Sequence, residues 1–214
     1  VTPGSSDSRA SGRPASADRR PPRPRDGRPS LATRRLYLCT PDRSDLGAFV
    51  DACIRGGVDI VQLREKHLSD RQLLERAKVL KLICADHGVP FVVNDRPDLA
   101  LEAGADGVHV GQDDAPPSLA RRILGPDALI GQSTHASRDL DETLGPGGQV
   151  LDYISAGPVV ETPTKPTRPA AGSEYIATAA ARSPRPVFVT GGVTPQTVGD
   201  LVARGARHFV VVRW

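Results

Sequence analysis

The sequence predicts an α/β fold: a (β/α)8 barrel of the TIM type. Three observations carry that expectation. From Leu36 onward, short apolar runs of strand length alternate with stretches of helical periodicity. Successive runs lie about 17 to 33 residues apart, which leaves room for helical crossovers and therefore for parallel pairing. Six runs also end in polar or glycine-rich segments, as expected where the C-terminal ends of barrel strands meet on one rim. An open doubly wound sheet is the other arrangement that such alternation permits.

Leu36 to Thr40 is a compact apolar strand closed by Pro41, and Leu46 to Arg55 has helical spacing up to Gly56-Gly57. A second strand covers Asp59–Arg64. The helix after it starts from Ser69, an N-cap candidate, carries Leu73, Ala77 and Leu80 on one face, and ends at Gly88. Phe91–Asn94 and Gly107–Val110 are the next strands, with a short helix at Pro97–Ala103 between them. A helix opens at Pro117 and stops before Gly125. Leu129–Gln132 is the fifth strand and Ser137–Leu144 its helix, followed by a plain glycine turn at Gly145–Gly148. Asp152–Ala156 leads into a Pro/Thr loop and a helix at Ser173–Ala181. Pro186–Thr190 precedes a helix opening at Thr194-Pro195, and Arg207–Arg213 is the eighth strand.

The chain ends at Trp214, so the expectation is a C-terminally truncated barrel whose eighth helix is missing. Strands eight and one would then lose outer cover, and ~200 Å² of bared apolar surface would forgo about 5 kcal/mol. Residues 1–34 are expected to be a disordered Arg/Pro-rich extension, too poor in apolar residues to offset the entropy of ordering. The absence of Met and a start at Val1 fit a start site placed too far upstream.

Net charge is +3, but residues 1–35 hold nine Arg against three Asp, which leaves the barrel mildly acidic. The extension lacks stacking aromatics and an apolar helical face, so neither nucleic acid nor membrane is an expected partner. No apolar stretch is long enough to span a bilayer. Cys39, Cys53 and Cys84, an odd number without CxxC spacing, fit reduced thiols and a cytoplasmic protein.

Chemistry gathers at the strand ends. Asp95 and Asp114 each follow a strand, where either alone could cap a helix. Together they suit Mg2+, which takes one or two carboxylates and completes its shell with phosphate oxygens and water. Arg64 and Lys66 suit a diphosphate, one as a planar donor fork and the other as a point charge. Lys165 adds a third cation within Thr162-Pro163-Thr164-Lys165-Pro166, and Gly191-Gly192 occupies the position of a phosphate corner. His109 and His135 could reach the rim or simply be packed, and no Ser/His/Asp or Cys/His nucleophile is present.

The motifs QLREK (Gln62–Lys66), ND (Asn94-Asp95), HVGQDD (His109–Asp114), GQSTH (Gly131–His135), GPV with TPTKP, and GGVTP occur in this order. From Leu36 to Arg213 the chain resembles the thiamine-phosphate synthase family. The resemblance implies a transferase of thiamine biosynthesis. It would join 4-amino-2-methyl-5-hydroxymethylpyrimidine diphosphate to 4-methyl-5-hydroxyethylthiazole phosphate, giving thiamine phosphate and diphosphate. It further implies that Gln62, Leu63, Arg64, Glu65, Lys66 and Asn94 hold the pyrimidine diphosphate, while Asp95 and Asp114 hold Mg2+. Ser133 and Lys165 would contact the pyrimidine substrate. Thr162, Pro163, Thr164, Gly192, Val212 and Arg213 would bind the thiazole phosphate. Arg64, Lys66 and Lys165 would be catalytic, stabilising the departing diphosphate. The alternatives are a thiazole tautomerase relative, or an inactive truncated chain of the same fold.

Overall fold

The computed structural model describes residues 29–161 and 169–212. Its strands are β1 (Leu36–Cys39), β2 (Ile60–Leu63), β3 (Phe91–Asn94), β4 (Gly107–Val110), β5 (Leu129–Thr134), β6 (Tyr153–Ala156), β7 (Val187–Val189) and β8 (His208–Val211). Each pairs in parallel with the next, and β8 returns to β1 with Leu38 opposite Val211, so the barrel is closed. Between strands run α1 (Leu46–Arg55), α2 (Asp70–Asp86), α3 (Pro97–Glu102), α4 (Pro117–Leu124), α5 (Ser137–Leu144), α6 (Gly172–Arg182) and α7 (Val198–Ala203).

Period-two alternation divides the side chains into two cores. Leu38, Val61, Leu63, Val93, Val108 and Ile154 point outward and pack with Val50, Ala77, Leu80 and Ile176 of the helices. Tyr37, Ile60, Val92, Leu129, Tyr153 and Phe188 fill the inside. Phe188 meets both tyrosine rings edge-on, at 5.3 Å and 5.4 Å between centroids.

Three aspartates tie the strands' N-terminal ends together. Asp59 accepts from the backbone N–H of Arg35 and Leu36, Asp106 from Phe91, and Asp152 from Ile130. The sequence pattern puts Asp59 and Asp152 inside strands. Their carboxylates instead bond to the preceding strand, and each strand begins one residue later. Lys81 and Arg121 neutralise Asp106 and Asp152 at 2.7 Å and 2.6 Å.

Four expectations are corrected. Leu31 is 6% exposed and joins the inner core. The Arg34 carbonyl accepts from His208. Leu31 and Arg34, predicted to belong to the 1–34 extension, therefore pack on the barrel, and residues 1–28 of that prediction lie outside the described residues. The outer faces of β1 and β8 are covered in part: Leu38 and Val211 are buried in the cluster that holds Leu46, Val50 and Leu201, while Leu36 and Phe209 are only half-buried. Pro146–Val150 is a 3₁₀ helix rather than a plain turn, with Gly148 packed on the Thr143 backbone. The last helix opens at Val198, because Thr194–Thr197 form a hydroxyl-bonded turn held to the Gly192 carbonyl.

Ser69 is the N-cap of α2 and forms a capping box with Gln72. No described helix is long and apolar enough to cross a membrane.

Candidate active site

A cavity of about 370 Å³ opens at the C-terminal ends of the strands. Inward positions at successive strand ends supply its wall: Gln62 and Arg64 from β2 and its exit, Asn94 from β3, His109 from β4, Ser133 from β5 and Ser155 from β6. Opposite lie Thr190, the Gly191-Gly192 turn and the Val210–Val212 backbone. Gly192 has φ 81°, and a Cβ there would meet Val160, so both backbone and space favour glycine.

Gln62, Arg64, Asn94, Ser133, Gly192 and Val212 thus share one cavity. Among the described lining residues Arg64 is the cation, and its backbone N–H is held by the Thr40 hydroxyl at 3.1 Å.

Lys66, Asp95 and Asp114 stand outside that lining, on the exits of β2, β3 and β4. Lys66 Nζ is 3.9 Å from Asp95 Oδ2. Asp95 has φ 62°, a left-handed conformation, and its N–H bonds to the His109 carbonyl at 2.8 Å. Asp114 folds back to accept from the Gly111 N–H at 2.7 Å. Two carboxylates on neighbouring strand exits fit a hard divalent cation that takes its remaining oxygens from substrate and water.

Two predicted residues turn away. Leu63 is fully buried between sheet and helices, so only its backbone could meet a ligand. The Glu65 side chain is 4% exposed and lies 2.7 Å from Arg76 Nη1 of α2. Burial raises its carboxyl above the ordinary range, against the opposing pull of Arg76. Glu65 serves the β2–α2 packing rather than the cavity. Thr162, Pro163, Thr164, Lys165 and Arg213 lie outside the described residues.

Beneath the cavity runs a buried polar network that the sequence reading missed. Gln62 Nε2 donates to the Tyr37 hydroxyl at 2.8 Å, and the Cys39 thiol donates to Gln62 Oε1 at 3.2 Å. Tyr37 and Tyr153 hydroxyls are 3.0 Å apart, and Tyr153 reaches His109 Nδ1 at 3.2 Å. His109 Nε2 lies 2.9 Å from Ser133 Oγ, with Ser155 Oγ bridging both at 3.4 Å. Burial raises both tyrosine hydroxyls above their ordinary value, so they remain hydrogen-bond donors. The signal available in sequence was a tyrosine two residues before a polar residue, Tyr37/Cys39 and Tyr153/Ser155, on strands buried on both faces.

Residues 36–214 match the family described as thiamine monophosphate synthase. Thiamine-phosphate synthase of Thermobifida fusca is 47% identical over 193 residues, covering 87% of this chain and 86% of that one. The enzyme of the same name from Acidothermus cellulolyticus is 45% identical over 188 residues, covering 86% and 88%. Among solved structures, thiamine phosphate pyrophosphorylase from Pyrococcus furiosus superposes with a TM-score of 0.74 at 29% identity, over 83% of this chain and 85% of that one. The family match spans the whole barrel and its rim, and the relatives are well above a third identical over most of their length: the chain belongs to the thiamine monophosphate synthase family.

Proposed function

We propose that the chain is a magnesium-dependent, cytoplasmic thiamine-phosphate synthase. It joins the aminopyrimidine methyl diphosphate to the thiazole phosphate, releasing diphosphate. The observation that carries this reading is the convergence of Arg64, Gln62, Asn94 and Ser133 on one side of the cavity, facing the Gly191-Gly192 turn on the other. That arrangement offers a polar seat for a pyrimidine diphosphate and a backbone seat for a second phosphate across the barrel mouth.

In this reading the bond between the pyrimidine methylene and the diphosphate oxygen breaks first, and its electron pair leaves with diphosphate. The amino-substituted ring stabilises the methylene cation, and the thiazole nitrogen donates its lone pair to form the new C–N bond. No protein nucleophile is consumed. Arg64, which lines the cavity, would gain most as charge builds on the leaving oxygens, so its contribution would be larger in the transition state than in the ground state. Lys66, steered by Asp95, reaches the same rim from the β2 exit. Asp95 and Asp114 would hold Mg2+, which supplies charge neutralisation to the diphosphate when bound. By motif, Thr162–Thr164 and Lys165 would cover the phosphates, and Arg213 would complete the thiazole-phosphate corner beside Val212. Reduced thiols at Cys39, Cys53 and Cys84 support the cytoplasmic assignment.

Incubation of the purified chain with both substrates, and then with each omitted in turn, tests the reading. Thiamine phosphate detected by mass spectrometry should require both substrates. Diphosphate release that is indifferent to the thiazole phosphate would point to a hydrolase instead.

A further inference from the structure

We propose that Tyr37 is a positioning residue that fixes the hydrogen-bond polarity of the cavity floor, and with it the preference for an aminopyrimidine over its oxo counterpart. The inference rests on the synthase reading for its ligand and on the hydrogen bonds of the cavity floor for its polarity.

Each link of that network carries one hydrogen, so one fixed end orders the rest. The Cys39 thiol holds Gln62 Oε1, which turns the amide Nε2 toward Tyr37. In the proposed polarity the Tyr37 oxygen accepts from Gln62, and its own hydrogen goes to the Tyr153 hydroxyl 3.0 Å away. Tyr153 in turn donates to His109 Nδ1, which makes that nitrogen an acceptor and puts the imidazole hydrogen on Nε2. Nε2 then donates to Ser133 Oγ, and Ser155 Oγ donates to the same oxygen. With both lone pairs of Ser133 Oγ taken, its hydrogen points to the cavity that Ser133 lines.

The floor therefore presents a hydroxyl donor at Ser133. An aminopyrimidine offers a ring-nitrogen lone pair beside its amino group and can accept that hydrogen. In the 4-oxo compound the corresponding ring nitrogen carries a hydrogen, and the two donors oppose each other. Tyr37 lies two links from His109 and three from Ser133, and acts through them. Its removal would cut the Cys39–Gln62 end away and let the links from Tyr153 to Ser133 reverse, with Ser133 becoming an acceptor.

The experiment has two readouts on the full chain. Nitrogen-15 NMR of histidine-labelled protein, with His109 assigned through the signal lost in His109→Asn, reads the tautomer. Steady-state kinetics with the 4-amino diphosphate, inhibited by the 4-oxo diphosphate, reads the discrimination. The wild-type chain should show His109 protonated at Nε2 and should disfavour the oxo compound by roughly 10- to 100-fold. Tyr37→Phe should mix the tautomers, shrink that preference severalfold and raise KM more than it lowers kcat. A cavity-floor role that is merely structural would lower stability without moving the tautomer or the amino/oxo ratio. Should Tyr37→Phe fail to fold, Tyr153→Phe cuts the same wire one link on. A wild-type His109 protonated at Nδ1 overturns the proposal whatever the variants do, and so does an unchanged tautomer in a folded Tyr37→Phe. A chain that releases no diphosphate would overturn the synthase reading alone, and the tautomer measurement would still decide the polarity.

Discussion

The ring of Tyr153 fills the space that a Cβ on Gly131 would need, with the ring carbons well inside contact distance of that position. Gly131 and Tyr153 are paired residues on β5 and β6, so the aromatic ring lies across its neighbour strand toward the barrel axis. There its hydroxyl joins Tyr37 and His109. Gly131→Ala should push the ring aside and destabilise the chain by about 1–3 kcal/mol, the range for overpacking a filled core. Urea denaturation reads this directly, and an unchanged midpoint would show that the ring can move freely.

Arg64 should be the most sensitive described residue for turnover. Arg64→Ala is expected to lower kcat by roughly 100- to 1,000-fold, as loss of one preorganised donor to developing negative charge does. Arg64→Lys should recover part of that loss, because the charge returns without the planar fork. The check is the initial rate of diphosphate release at saturating substrates, and equal rates for all three proteins would remove Arg64 from the chemistry.

Asp95 offers a clean separation of charge from backbone. Its φ of 62° suits Asp or Asn but strains most other residues. Asp95→Asn should therefore keep the melting temperature while raising the Mg2+ concentration for half-maximal rate by at least about tenfold, a loss seen even when an outer partner of a metal site is removed. An unshifted Mg2+ titration would place the cation elsewhere.

His208 should make stability depend on pH. Burial pushes its imidazole below the ordinary value of 6.5, outweighing the bond to the Arg34 carbonyl that favours the charged form. The unfolded chain thus binds a proton that the folded chain resists, so stability rises with pH across this window. The contribution is fully present above 6.5, declines as pH falls below it, and is lost once pH passes the depressed folded value. Thermal melts from pH 7.5 to 5 should show the decline, and His208→Asn, which can still donate to the carbonyl, should flatten it. A parallel decline in the variant would assign the effect to other groups.

Most of the barrel was legible because each strand's apolar run and each helix's stripe report the same two-layer packing. The capping signal at Ser69 and the proline at Pro117 located helix starts for local reasons that no tertiary contact overrode. Local signals failed where tertiary contacts decide. Leu31 reads as part of a polar extension, yet the open N-terminal end of the barrel offers it an apolar seat. The Thr194-Pro195 start gave way to a turn bonded across to Gly192.

The site divides along the same line. In Gln62–Glu65 the strand period alone sends Gln62 and Arg64 inward and Leu63 and Glu65 outward, so the alternation could have set Glu65 apart from the diphosphate ligands. The tyrosine network was out of reach: Tyr37 and Tyr153 are 116 residues apart, and only closure of the barrel makes them neighbours.

The central claim is the coupling of two substrates with loss of diphosphate. The most direct test measures thiamine phosphate and diphosphate together in one reaction of the purified chain with both substrates and Mg2+. A synthase yields equal amounts of the two products at every time point, and neither when the thiazole phosphate or Mg2+ is withheld. A folded chain that forms no thiamine phosphate, or that releases diphosphate without it, would contradict the account.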